Sequence, residues 1–300
     1  MNEQQTPVPI RPAATIILAR EQYGTLEIYL LKRSTQSGFM GGLYVFPGGV
    51  VEDEDRGMNV WWPNVDLPPD QMATRLGSPS LNLEDTLGFS IAAIRETLEE
   101  AGVLVADAAG KTVMDFQLMA GCRLEQDRPA DWFRQKVMEE NWTLSLSSLY
   151  RWSHWITPKL MKKRFDTRFF IVSMPDNQVC MPDDMETNHG IWLSPQTALK
   201  QNLAGRTPLS PPTIVTLTQL RDYLSLDDLN TALISKSWDQ PIAPEMIKTP
   251  EGPVILEPWD PQHKNPSSAD ATGLQNKVLP AGADFSRIWC DKGIWKPVGL

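Results

Sequence analysis

The sequence predicts an α/β fold, and three observations carry that prediction. Two aliphatic, β-branched runs, ATIILA (14–19) and LEIYLLKR (26–33), read as strands near the start of the chain. The apolar period then changes to helical spacing over 87–101. A strongly apolar strand, RFFIVSM (168–174), is followed by two further segments of helical pattern.

Taken in order, the first two runs are separated by a polar segment containing Gly24 and are expected to form a hairpin or lie as neighbours. LYVFPGG (43–49) is a third short strand, stopped by Pro47 and a glycine pair. VWWPNVDLPPDQMATRLGSPSLN, rich in proline and turn formers, is expected as an inserted surface excursion. From Leu87 to Ala101, Ile91, Ala92, Ile94 and Leu98 keep helical spacing, and Gly102 supplies a stop where left-handed backbone is cheap. DWFRQKVMEEN (131–141), SPQTALKQNLA (194–204) and PPTIVTLTQLRDYLSL (211–226) read as helices, the last with proline in its first turn. One domain over 1–235 is expected. Residues 236–300, with recurrent proline but retained Ile, Leu and Trp, are expected as an irregular extension packed on it, with room for a hairpin around PVILEP and SRIWCDKGIWKP.

Composition narrows the partners. The chain has 300 residues, 41% hydrophobic, which is ample for a core. A net charge of −9 argues against polymeric nucleic acid, whose phosphates are held by clustered Lys and Arg. A small phosphorylated ligand bound through a divalent metal still fits. Cys122, Cys180 and Cys290 have no C-x-x-C spacing, so neither a disulfide framework nor a four-Cys zinc site is indicated. The first thirty residues lack a basic start with an apolar run, and no stretch approaches the roughly 18 apolar residues of a membrane span. A cytoplasmic protein is expected, and a homodimer stays open.

The chemistry concentrates in AAIRETLEEAG (92–102). Glu96, Glu99 and Glu100 stand at i, i+3 and i+4, so a helix presents three carboxylates on one face. Packed together they repel, and a hard divalent cation such as Mg²⁺ or Mn²⁺ turns that repulsion into oxygen coordination. Arg95, four residues before Glu99, is placed to pair with it.

These residues resemble the Nudix hydrolases. RETLEEAGV (95–103) matches the second half of the Nudix box, G-x5-E-x7-R-E-U-x-E-E-x-G-U with U aliphatic, although Thr97 stands at a position usually aliphatic. FPGGVVEDED offers the first half: Gly49 followed by Asp55 in place of the first Glu, or Gly48 followed by Glu54. Between Asp55 and Arg95 lie 39 residues (56 to 94), so the box is split by an insertion at about 56–86. The resemblance implies an α/β/α sandwich around a mixed sheet, and metal-dependent hydrolysis of a nucleoside diphosphate linked to another moiety.

LLKRSTQSGFMGGLYVFPGG, WITPKLMKKRFDTRFF, WLSPQTAL and PPTIVTL together resemble the branch that includes the mammalian peroxisomal coenzyme A diphosphatase and its bacterial relatives. That branch implies cleavage of coenzyme A or acyl-CoA to a phosphopantetheine product and 3′,5′-ADP. The chain ends in WKPVGL, without the Ser-Lys-Leu type address expected of the peroxisomal relatives. The upstream pattern LLTxR(S/A)x3Rx3Gx3FPGG of other Nudix coenzyme A hydrolases keeps its spacing here, with Arg33, Ser34, Gly42 and Phe46 to Gly49, but Gly38 replaces its second Arg.

The resemblance makes Glu96, Glu99 and Glu100 the metal ligands and, together with Arg95, catalytic residues, with Glu96 also a candidate base. Glu186, in MPDDMETNHGIWL (181–193) with Asp183, Asp184 and His189, is the candidate for a further catalytic carboxylate from a loop. Arg33, Gly48, Gly49, Arg164 and Arg168 are the candidate substrate-binding residues; for Arg164 and Arg168 a structural ion-pair network with Asp166 is the preferred alternative. Other readings are a Nudix pyrophosphatase acting on ADP-ribose, a dinucleotide or a nucleotide sugar, and a non-catalytic nucleotide sensor. Three intact carboxylates argue against the sensor.

Overall fold

Ile10–Gln22 (β1) and Thr25–Arg33 (β2) form the expected hairpin, turned by Tyr23 and Gly24, whose φ angles of 52° and 72° suit a two-residue turn. The computed structural model describes residues 8–107, 109–125, 127–183, 186–238 and 240–300. Tyr44–Val45 (β3) and Gly48–Val50 (β4) come next; β4 pairs with Ala13 to Thr15 of β1, while β2 pairs with Ala19 to Gln22. Helices Met58–Trp61 (α1), Pro69–Leu76 (α2), Leu83–Ala101 (α3), Val113–Cys122 (α4) and Trp132–Glu139 (α5) follow. Tyr150–Ile156 (β5) pairs with Arg164–Ser173 (β6), which runs parallel to β1, and Thr187–Leu193 (β7) pairs with β2. Among the described residues these strands make one seven-stranded mixed sheet.

Period-two alternation decides which layer each strand residue joins. Ala14, Ile16 and Leu18 of β1, with Phe170 and Val172 of β6, pack on α3 and the helices around it. Their neighbours Ile17, Ala19, Phe169 and Ile171 pack on the opposite layer, built by Pro195–Leu203 (α6), Pro211–Leu220 (α7) and Leu226–Ile234 (α8). The result is the α/β/α sandwich. The helix expected over 211–226 is two: α7 stops at Leu220, and α8 starts behind Ser225, whose hydroxyl accepts from Asp228 N.

Two expectations are corrected. The insertion is not a surface excursion: Trp61, Leu67, Met72 and Leu76 are buried in the α3-side core with Phe133 and Trp142. Pro63 and Pro69 stand in the first turns of helices, Pro69 being the first residue of α2, while Pro79 lies in a turn. The C-terminal extension is not irregular either. Glu245–Thr249 (β8), Gly252–Leu256 (β9), Arg287–Asp291 (β10) and Ile294–Val298 (β11) form an antiparallel four-stranded sheet in the order β11-β10-β9-β8. Ile255 and Ile288 face the α6–α7 layer, while Val254, Leu256, Trp289 and Val298 close a small core on the other face. The retained Ile, Leu and Trp are therefore used on both faces of this sheet.

Candidate active site

α3 is held at both ends. Asn82 caps its first turn by accepting from Asp85 N at 2.7 Å, which starts the helix four residues before its apolar period becomes visible. At the other end Gly102 adopts φ 69°, and its N–H donates to Leu98 O. Between them Arg95 is almost wholly buried and organises the acidic face. Its guanidinium donates to both carboxylate oxygens of Asp55, at 2.8 and 2.9 Å, and to the Val50 carbonyl at 2.9 Å. The same side chain donates to Glu96 and Glu99, each at 2.9 Å, so the Arg95–Glu99 pair expected from spacing is present. Asp55, not Glu54, therefore occupies the place of the first box carboxylate, and the two halves of the split motif meet in space.

The three glutamates have distinct surroundings. Glu96 lies against Gly49: a Cβ at that position would stand 2.5 Å from its carboxylate and would push Glu96 out of its present place. Burial pushes Glu96 up to about 7 against the pull of Arg95, with Glu99 adding to the rise. Glu100 is buried, accepts from Gly48 N at 2.9 Å and has the Arg33 guanidinium 3.6 Å away. Burial and then the Glu96 charge hold it well above the usual carboxylate range. Glu99 accepts from Arg95 on one oxygen and from Trp132 Nε1 on the other, at 3.0 Å.

Among the described residues no three acidic, histidine or cysteine side chains already close around one point. Glu96 and Glu99 turn to Arg95 instead, and Glu100 turns to Gly48. The donor chemistry nevertheless fits a divalent cation. Hard oxygen donors share one helical face; Glu100 is buried and Glu96 nearly so, and the Glu99 charge raises Glu96 as the Glu96 charge raises Glu100, a conflict that a cation relieves.

This face opens onto a cavity of about 500 Å³ between the sheet, α7 and the C-terminal sheet. Arg33, Gly48, Gly49 and Glu186 line it, as expected from the sequence. Glu186 lies 3.7 Å from Arg33 and is largely exposed, so Arg33 stands between Glu100 and Glu186. Asp184 lies outside the described residues. His189 is turned to the Tyr44 hydroxyl, at 3.2 Å, and does not line the cavity.

Arg164 and Arg168 are corrected. Phe165, Thr167 and Phe169 of β6 face the cavity, so strand alternation turns the even-numbered residues to the other side of the sheet. Arg168 is buried there over the rings of Phe89 and Trp238, with Asp166 at 3.9 Å, and Asp166 is bonded to His154 at 2.6 Å. Arg164 donates to the Thr157 carbonyl. The cation from this segment that does line the cavity is Lys163. Sequence reading also passed over Trp132 and the apolar wall of Met246, Ile255 and Trp295, because nothing in their local pattern links them to α3.

A glycine pair on the short strand β4, laid against a carboxylate helix on a mixed sheet between two helical layers, is the arrangement of a Nudix hydrolase, and the chain is a pyrophosphohydrolase of that class. The family model described as the NUDT19 Nudix domain matches residues 10–220, and the chain belongs to that family. A human protein named acyl-coenzyme A diphosphatase NUDT19 is 29% identical over 305 residues, covering 87% of this chain and 80% of that protein. The protein of the same name from Xenopus laevis is 27% identical over 290 residues, covering 84% and 75%. Among solved structures, a NUDIX hydrolase from Alicyclobacillus acidocaldarius superposes with a TM-score of 0.61 at 22% identity, over 78% of this chain and 99% of that one. It shares the fold.

Proposed function

We propose that the chain is an acyl-CoA diphosphatase that cleaves the diphosphate of coenzyme A and its thioesters to 3′,5′-ADP and a phosphopantetheine product, with Mg²⁺ or Mn²⁺. The observation that carries the reading is the carboxylate face of Glu96, Glu99 and Glu100, set beside Gly48 and Gly49 in the lining of the cavity. The names of the relatives support the substrate class.

Hydrolysis needs the diphosphate held, its charge neutralised and a water deprotonated. Glu96, Glu99 and Glu100 would hold a divalent cation, which would supply Lewis-acid neutralisation of the phosphoryl charge and make water easier to deprotonate. Arg33 and the cavity-lining Lys163 bring positive charge to the anionic substrate. Arg95 does not touch substrate in this reading; it fixes the rotamers of Glu96 and Glu99 and ties them to Asp55. Glu186 reaches the same cavity from the loop before β7 and is the candidate proton acceptor. As a base it contributes on the order of 10²–10⁴-fold.

The test is a panel of CoA, acyl-CoA, ADP-ribose, NADH and nucleotide sugars, with Mg²⁺ or Mn²⁺ and product identification. Release of 3′,5′-ADP from CoA compounds, abolished in Glu99→Gln and Glu100→Gln proteins that still fold, is expected. Turnover confined to ADP-ribose or a nucleotide sugar would replace the substrate, and no turnover of any diphosphate would remove the enzymatic reading.

A further inference from the structure

We propose that the C-terminal sheet builds a compartment for the carbon chain of the substrate, so that β8 to β11 set which acyl length the enzyme accepts. This deepens the acyl-CoA reading above and rests on it. The cavity lined by the α3 carboxylates is lined as well by residues that lie outside the Nudix box: Pro244, Met246 of β8, Ile255 of β9 and Trp295 of β11. Phe46, Trp155 and Phe169 of the Nudix domain line the same cavity. The cavity thus has charged groups from Arg33, Lys163 and the glutamates, and an apolar wall that the second sheet supplies.

The apolar wall selects its occupant by chemistry. None of these seven side chains carries a charge, and the neighbouring Ser210 and Thr213 hydroxyls are hydrogen-bonded to each other at 2.7 Å. A phosphate or a nucleobase edge buried against such a wall would leave its polar atoms unpaired, at a cost in affinity. A methylene chain gains roughly fourfold in affinity for each CH₂ removed from water. Met246 and Trp295 are only partly buried by the protein itself, so apolar surface on both remains for a ligand to cover. A thioether side chain also adapts to chains of different length. The match between a charged region that takes a diphosphate and an apolar wall in the same cavity is the pattern of a fatty acyl thioester of CoA.

The experiment measures kcat/KM for free CoA and for acetyl-, octanoyl- and palmitoyl-CoA, following 3′,5′-ADP. In the unmodified chain the value rises with acyl length, by up to roughly fourfold per buried methylene, until the compartment is full. Met246→Trp, which fills the compartment, lowers the palmitoyl-to-free-CoA ratio at least tenfold, and Trp295→Ala moves the preferred length upward. Met246→Leu, which conserves volume and polarity, keeps the original profile. Thermal melts establish that each variant folds, and either of the first two suffices if the other does not. A flat length profile in the unmodified chain overturns the proposal. So do variants that lose activity on free CoA and acyl-CoA alike, because the compartment would then hold a part common to both. Cleavage of CoA thioesters with an unchanged profile in the variants removes only the compartment, whereas no cleavage of any CoA compound removes the reading on which it rests.

Discussion

At the scale of single residues, Glu99 is held from two directions: Arg95 on its own helix donates to one oxygen and Trp132 of α5 donates to the other. A candidate metal ligand fixed in this way loses little freedom when it binds. Trp132→Phe keeps most of the packing and removes the N–H, so kcat is expected to fall by about tenfold or more, the value of a hydrogen bond to a charged group. A change in kcat with little change in Tm is the outcome that supports positioning; a drop in Tm alone would assign Trp132 to the core. Asp55 makes the contrasting case. It is buried and bidentate to Arg95, so Asp55→Ala leaves a buried guanidinium without its main partner and is expected to cost about 3–5 kcal/mol in denaturant unfolding. The Arg95–Glu99 contact was legible because a helix brings i and i+4 together by geometry alone. Trp132 was not, since a residue 33 positions away in sequence reaches Glu99 only through the packing of two helices.

At the scale of elements, the same distinction explains the insertion and β6. Proline and turn residues between 56 and 86 suggested an excursion, yet Trp61, Met72 and Leu76 are apolar at positions that two short helices turn inward. Short helices carry too few turns for their period to stand out, and only burial reveals them. Met72→Ala is therefore expected to cost about 2–5 kcal/mol, measured by chemical denaturation, as for a fully buried side chain. A cost below 0.5 kcal/mol would restore the surface reading. On β6, the cluster of Lys and Arg correctly marked a strand beside the cavity, but charge says nothing about which face a strand residue occupies. Alternation does, and once Phe169 is seen to line the cavity, Arg164 and Arg168 must lie behind the sheet. The strand was legible from its apolar run, while its facing depended on which helical layer covers each side.

At the scale of the molecule, the C-terminal sheet is the part the sequence least revealed, and it carries a group at odds with its surroundings. Glu257, the residue after β9, is fully buried, and neither carboxylate oxygen has a hydrogen-bond partner among the described residues. Burial pushes it up to about 8, so the folded protein keeps a proton that the unfolded chain has released. The sign follows from proton counting: from about pH 4.5 to about 8 the native state binds more protons at this site, so stability falls as pH rises through that window and levels off above it. Glu96, pushed up to about 7, contributes in the same direction, so the slope of the unmodified protein alone does not isolate Glu257. The difference from Glu257→Gln does, because glutamine keeps the shape and cannot ionise. Melting both proteins between pH 5 and 8.5 is expected to show a Tm advantage for the glutamine variant that grows with pH and stops growing near 8. A difference independent of pH would mean that Glu257 is already ionised in the folded state. The advantage also reports on architecture: it appears only if the second sheet unfolds together with the Nudix domain, as the packing of Ile255 and Ile288 against the α6–α7 layer requires.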